Sequence, residues 1–223
     1  MTNPASLKTD AKPKDGHSVL SERVRQQLTE LIRNRSLASG QVIIEQRLAE
    51  TLGVSRTPLR EALQRLEGEG LIQKNSGRSY MIRVVNFQEY MQSLKMRRII
   101  EPEAAANAIS RIPLSEIAAV RLEIEGLHTG DGEHTEAHWD SDDRLHRLFG
   151  RHCGNMVMFE IIEKLRVTTR LFEITEIRQK VKSDFVEHIA ILDALSAENG
   201  DAARQAVARH ITSLISYSLQ QVT

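Results

Sequence analysis

Apolar positions recur every three to four residues along most of this chain, and short polar breaks interrupt the pattern. Leu20, Val24, Leu28, Leu31 and Ile32 share one face and predict a helix over 20–32, with Ser18 or Ser21 as its cap. That region ends at Ser39-Gly40, and Val42-Ile43-Ile44 is a short β-prone run. Helical spacing returns over 45–52 and 56–69, on either side of Gly53-Val54-Ser55. In the second of these stretches Leu59, Ala62, Leu63 and Leu66 form the apolar back, while Arg56, Arg60, Gln64 and Arg65 point elsewhere. Pro58 falls in the first turn, where its missing N–H costs little, and Gly70 is placed as a C-cap. Residues 71–74 and 79–85 predict two short strands around the turn 75–78.

Beyond residue 86 the spacing is helical throughout, over 87–109, 115–128, 133–151, 155–178, 180–198 and 201–220. The breaks are Ile112-Pro113, Gly130-Asp131-Gly132, Gly154-Asn155 and Asn199-Gly200. Six helices with short loops predict an all-α bundle.

Two helices joined by a tight glycine turn, the second basic in front and apolar behind, then a hairpin, have the layout of a winged helix-turn-helix. The expected fold is therefore mainly α. A disordered polar leader over 1–17 precedes a winged helix-turn-helix DNA-binding domain over 18–85, and an all-helical effector bundle over 86–223 follows. The start of the recognition helix meets base edges in the major groove. There Arg56 and Arg60, four apart, offer forks to guanine or phosphate, and Thr57 offers a hydroxyl to phosphate. On the wing, Lys74, Ser76, Gly77 and Arg78 are placed to follow the backbone or the minor groove. The plainer alternative is a surface helix with charges for solubility. Turn, helix and hairpin in the right order favour the DNA reader.

Charge supports this division. The chain is neutral overall, but residues 1–85 carry 14 basic and 9 acidic residues and the remainder 16 and 21. Only the first part is suited to phosphate. At 40% hydrophobic residues the chain can bury a core, and no apolar run is long enough to span a bilayer. The leader lacks the apolar segment of a secretory signal, and the single Cys153 excludes an internal disulfide. A cytoplasmic protein is expected.

The bundle brings a second chemistry. Asp142 and His146, four apart, stack one turn from each other. His188 shares a face with Ile191, Leu192 and Leu195, and His210 with Val207, Ile211 and Leu214. A single inward histidine is more often a satisfied core residue. Three on different helices, one beside a carboxylate, favour a divalent metal held between facing helices. Imidazole and carboxylate ligands suit zinc, the first choice, with nickel, iron or manganese as alternatives, and the absence of thiolate excludes a structural Cys-type zinc site. His17, His128, His134, His138 and His152 fall in polar or loop segments and are expected at the surface. An Asp/His3 centre could also activate water. The chain has no HExxH motif and no glutamate with an evident general-base role, so an enzyme is not expected. A sensor of the metal itself stays open beside an effector-responsive regulator.

The stretch LAETLGVSRTPLREALQRLEGEGLI resembles the DNA-binding domain of the GntR family of bacterial regulators. The family's contact positions would fall on Arg56, Thr57, Arg60, Ser76 and Gly77. Where some members of the FadR group have an arginine at the start of the preceding helix, this chain has Gln46, followed by Arg47. The set Asp142, His146, Gly154-Asn155, Glu187-His188 and His210 resembles the FCD domain, the helical effector domain of that group. The resemblance implies a divalent metal that helps bind a small carboxylate effector. It also implies a homodimer reading palindromic operator DNA, with the linker 84–87 carrying the movement and apolar faces on the first and fourth bundle helices as candidate dimer surfaces. Arg97 matches an arginine that can face the effector, or it pairs with Glu101 one turn on. Asn155 is either an effector contact or the cap of the next helix.

Overall fold

The computed structural model describes residues 15–75, 77, 79–128, 135–176 and 181–220. Most of the predicted leader, together with Ser76 and Arg78 of the predicted wing contacts, lies outside the described residues, as does His134.

Helix α1 (Asp15–Arg33) begins inside the stretch assigned to the leader. It packs on α3 (Arg56–Gly68), burying Val24, Leu28 and Ile32 among Leu59, Ala62, Leu63 and Leu66. Helix α2 (Glu45–Leu52) ends at Gly53, whose φ of 64° is left-handed and lets the chain turn tightly into α3. Pro58 and Leu59 are buried in the first turn of α3, leaving Arg56, Thr57 and Arg60 on its outer side.

The wing is smaller than predicted. β1 (Ile72–Lys74) pairs antiparallel with β2 (Tyr80–Ile82), with Gln73 opposite Met81. The β-prone run contributes a third, shorter piece: Val42 bridges Met81, and Ile43 N–H donates to the Tyr80 carbonyl at 2.8 Å. Ile43, Ile72, Tyr80 and Ile82 face inward, which ties the sheet to the helical core.

Asn86 caps α4 (Phe87–Asn107) by accepting from Glu89 N–H at 2.8 Å. Then follow α5 (Leu114–His128), α6 (Glu136–His152), α7 (Met156–Glu176), α8 (Val181–Ser196) and α9 (Gly200–Gln220). Helix α4 is central, packing on α9, α7 and α6, while α8 packs on α9 and α5. Leu94, Leu145, Phe149, Ile162, Ile191, Leu192 and Val207 fill the bundle core. Among the described residues, no helix is long and apolar enough to cross a membrane.

Candidate metal centre and nucleic-acid interface

The bundle interior brings together the four residues singled out from spacing. His146 on α6, His188 on α8 and His210 on α9 are buried, Asp142 lies one turn before His146, and their ligand-type atoms all lie within 4.8 Å of one another. The ring centroids of His188 and His210 are 4.7 Å apart, and those of His146 and His210 are 5.3 Å apart.

Two carboxylates fix the histidine tautomers. Glu101 Oε2 lies 2.5 Å from His146 Nδ1, and Glu187 Oε2 lies 2.9 Å from His210 Nδ1. An ionised carboxylate only accepts, so each Nδ1 carries the proton and each Nε2 presents a lone pair. Among the described residues, the Nε2 atoms of His146, His188 and His210 are all buried without a hydrogen-bond partner. Asp142 Oδ1 approaches His188 Nε2 at 3.3 Å and His146 Nε2 at 3.6 Å, out of hydrogen-bond alignment. Two nitrogen lone pairs, the unpartnered Nε2 of His188 and one carboxylate oxygen suit a divalent cation.

Electrostatics prepare the same outcome. Burial, reinforced by the Arg166 guanidinium, pushes His146 down to about 4. Burial pushes His210 down to about 3 despite its bond to Glu187. Both imidazoles are therefore neutral at pH 7, the form that binds metal. Burial works against the Asp142 charge, but the guanidinium groups of Arg166 and Arg170 hold its carboxyl well below the usual range. Burial likewise opposes the Glu101 charge, and Arg97 and His146 outweigh it.

Arg97 is buried and forms the ion pair left open by the sequence, donating from Nε to Glu101 Oε1 at 2.6 Å and from Nη1 to Thr169 Oγ1 at 2.9 Å. Its Nη2 has no partner among the described residues. Asn155 is exposed, and its Oδ1 accepts from Met158 N–H at 3.0 Å. It caps α7 and is not among the residues gathered around the histidines.

Sequence reasoning missed Arg166 and Arg170, which are buried on α7 and bonded to Asp142 and Asp143. The signal was present: two arginines four apart, on the same inward side as Ile162, Thr169 and Glu173. Burial pushes the Glu173 carboxyl up, and Tyr90 Oη donates to it at 3.3 Å.

The other candidate surface lies on α3 and the wing. Arg56 Nη2 donates to Gln46 Oε1 at 3.2 Å, so the glutamine that stands in place of an arginine orients this side chain. Arg60 Nε donates to Glu45 Oε2 at 2.6 Å while its side chain stays 61% exposed, and Lys74 Nζ meets Glu67 at 3.0 Å over the Tyr80 ring. Exposed pairs of this kind hold weakly, so phosphate can displace them. Gly77 N–H is held by Asn75 Oδ1 at 3.0 Å at the wing tip.

Comparison with known proteins assigns both halves. Residues 20–82 match the family described as bacterial regulatory proteins, gntR family, and residues 92–213 match the FCD domain. The uncharacterized HTH-type transcriptional regulator YdhC of Bacillus subtilis is 27% identical over 193 residues, which cover 82% of this chain and 84% of that protein. The HTH-type transcriptional repressor RspR of Escherichia coli is 25% identical, with 91% of each chain covered. Among solved structures, E. coli McbR/YncC superposes with a TM-score of 0.74 at 22% identity, covering 92% of this chain and 99% of that one. A putative GntR transcriptional regulator from Rhodococcus sp. RHA1 gives 0.72 at 20%, with 90% and 97% covered. These similar proteins are regulators rather than enzymes. A gntR reader joined to an FCD bundle makes this chain a DNA-binding transcriptional regulator, and it belongs to the GntR family, in the group that carries an FCD domain.

Proposed function

We propose that the protein is a metabolite-responsive repressor, with residues 18–85 reading operator DNA and 86–223 sensing the signal. Arg56, Thr57 and Arg60, with Lys74, Ser76, Gly77 and Arg78 of the wing, contact the DNA. Asp142, His146, His188 and His210 hold a divalent cation, zinc by preference. The signal is a small carboxylate that reaches this cation. Arg97, with a buried nitrogen still unpartnered, is offered to the same carboxylate. Asn155, an exposed cap, is left out of the effector site. Repression is suggested by RspR, a repressor of similar sequence.

The observation that carries the reading is the set of three partnerless Nε2 atoms around Asp142. A bound cation supplies a Lewis-acidic anchor for a carboxylate. Around it, Glu101 and Glu187 orient His146 and His210, and burial excludes competing water. The effector lowers operator affinity only by binding the DNA-incompetent arrangement more tightly.

The test is fluorescence anisotropy on a duplex selected from random sequence. A palindromic site is expected, and metal-loaded protein should release it when the matching carboxylate from a panel is added. Arg56→Ala should weaken specific binding by about 10-fold or more, with the fold and metal content unchanged. Unchanged affinity in that variant contradicts the recognition-helix assignment. Loss of DNA binding on metal stripping alone, with no carboxylate effect, would point to metal sensing instead.

A further inference from the structure

Asp142 and Asp143 are neighbours on α6, and the same two guanidinium groups bind both. Arg166 Nη2 donates to Asp142 Oδ2 at 2.7 Å and to Asp143 Oδ1 at 2.5 Å. Arg170 Nη2 donates to the same two oxygens, at 2.9 Å each. Each aspartate has its other oxygen turned to a different part of the molecule. Asp142 Oδ1 faces the histidines, 3.3 Å from His188 and 3.6 Å from His146. Asp143 Oδ2 lies 3.7 Å from Arg33 Nη2, and Arg33 Nη1 donates to Asp140 Oδ1 at 2.5 Å. Arg33 sits in the last turn of α1, the helix that packs on the recognition helix.

We infer that Arg33 is a positioning residue for α1: through the Asp142/Asp143 pair it couples the loading of the histidine site to the docking of α1 on the bundle. This inference rests on the proposal that Asp142 and the three histidines hold a cation. Helix geometry separates the two roles. Asp140 and Asp143, three residues apart, share the face toward α1, while Asp142 is turned by about 100° from Asp143 toward the histidines. Arg166 and Arg170 are buried and cannot lose their charge. When the Asp142 charge is drawn toward a cation on its Oδ1 side, it holds the two arginines less strongly and Asp143 takes up more of their charge. Asp143 then attracts Arg33 less, and α1 loosens. The Arg33–Asp140 pair is partly exposed, with side chains 28% and 41% accessible. Such a contact adds little to stability and is easily broken, which suits a reversible latch.

The experiment is hydrogen exchange by mass spectrometry on the full chain, wild type and Arg33→Ala, each first stripped by chelator and then given Zn2+. Zn2+ should slow exchange around His188 and His210 in both proteins. In the wild type it should speed exchange in the last turns of α1 by about 2- to 5-fold, the change that loss of a partly exposed ion pair allows. In Arg33→Ala those turns should exchange fast with or without Zn2+. Protection at the histidines with α1 of the wild type unchanged or slowed would overturn the coupling, and so would an α1 response in Arg33→Ala equal to that of the wild type. Either result would leave the metal proposal standing. Absence of protection at the histidines would remove the metal proposal, and this inference with it.

Discussion

Glu101 touches no surface and lies four residues after Arg97, yet it sets the state of the candidate site. One oxygen takes Arg97 and the other takes His146 Nδ1, so a single carboxylate neutralises a buried guanidinium and orients the His146 ring. Outer partners of metal-bound histidines commonly contribute 10- to 100-fold in affinity. Glu101→Gln keeps the size and an acceptor for Arg97, and it should weaken metal binding by about that factor in a chelator competition. Unchanged affinity would reduce Glu101 to an ion-pair partner. The histidines carry a pH consequence of known sign. His146 and His210 are held at about 4 and about 3, below the unfolded value of about 6.5. Between those limits the unfolded chain binds more protons, so stability rises with pH and falls on acidification. Metal-stripped protein should lose up to about 1.4 kcal/mol per pH unit for each histidine as pH drops from about 6.5 to 4. The lowered carboxyls of Glu101 and Asp142 titrate below that window, and the raised carboxyl of Glu173 offsets the share of at most one of the two histidines. A melting temperature that stays flat from pH 6.5 to 4 would contradict these assignments. The histidines were legible because inward spacing is a sequence property. Glu101 was not, because only packing shows that an i,i+4 partner of Arg97 also reaches α6.

At the scale of elements, amphipathic periodicity located the helices well and their ends less well. Helix α1 starts earlier than its apolar stripe, since a first turn can form without apolar residues of its own. Both strands came out at three residues, and Val42 joined them through a bridge, because sheet pairing depends on partners distant in the sequence. Helices α4 and α7 also carry apolar side chains that the single chain leaves exposed. Met96 and Ile99 on α4, and Val157 and Ile161 on α7, are exposed apolar side chains on helices that pack together. These are the first and fourth helices of the bundle, whose apolar faces are the candidate dimer surfaces, and a dimer formed through them is open to test. Light scattering should give a mass near twice 25.2 kDa for the wild type and near that value for Met96→Glu with Ile99→Glu. An unchanged dimer in the double variant would place the contact elsewhere.

For the whole molecule, the DNA face and the histidine site lie in separate halves joined by residues 84–87, with Asn86 capping α4. The Arg33 ion pairs give those halves a second connection. The two domains were readable from charge and motif, while the connection was not, because Arg33 and Asp140 are 107 residues apart. Everything proposed for sensing depends on a cation in the bundle. Elemental analysis of the purified protein by plasma mass spectrometry, beside His188→Ala with His210→Ala, tests this most directly. The account predicts about one divalent metal per chain in the wild type and close to none in the double variant. A metal-free wild type that takes up none on Zn2+ addition, or full occupancy in the double variant, would contradict it.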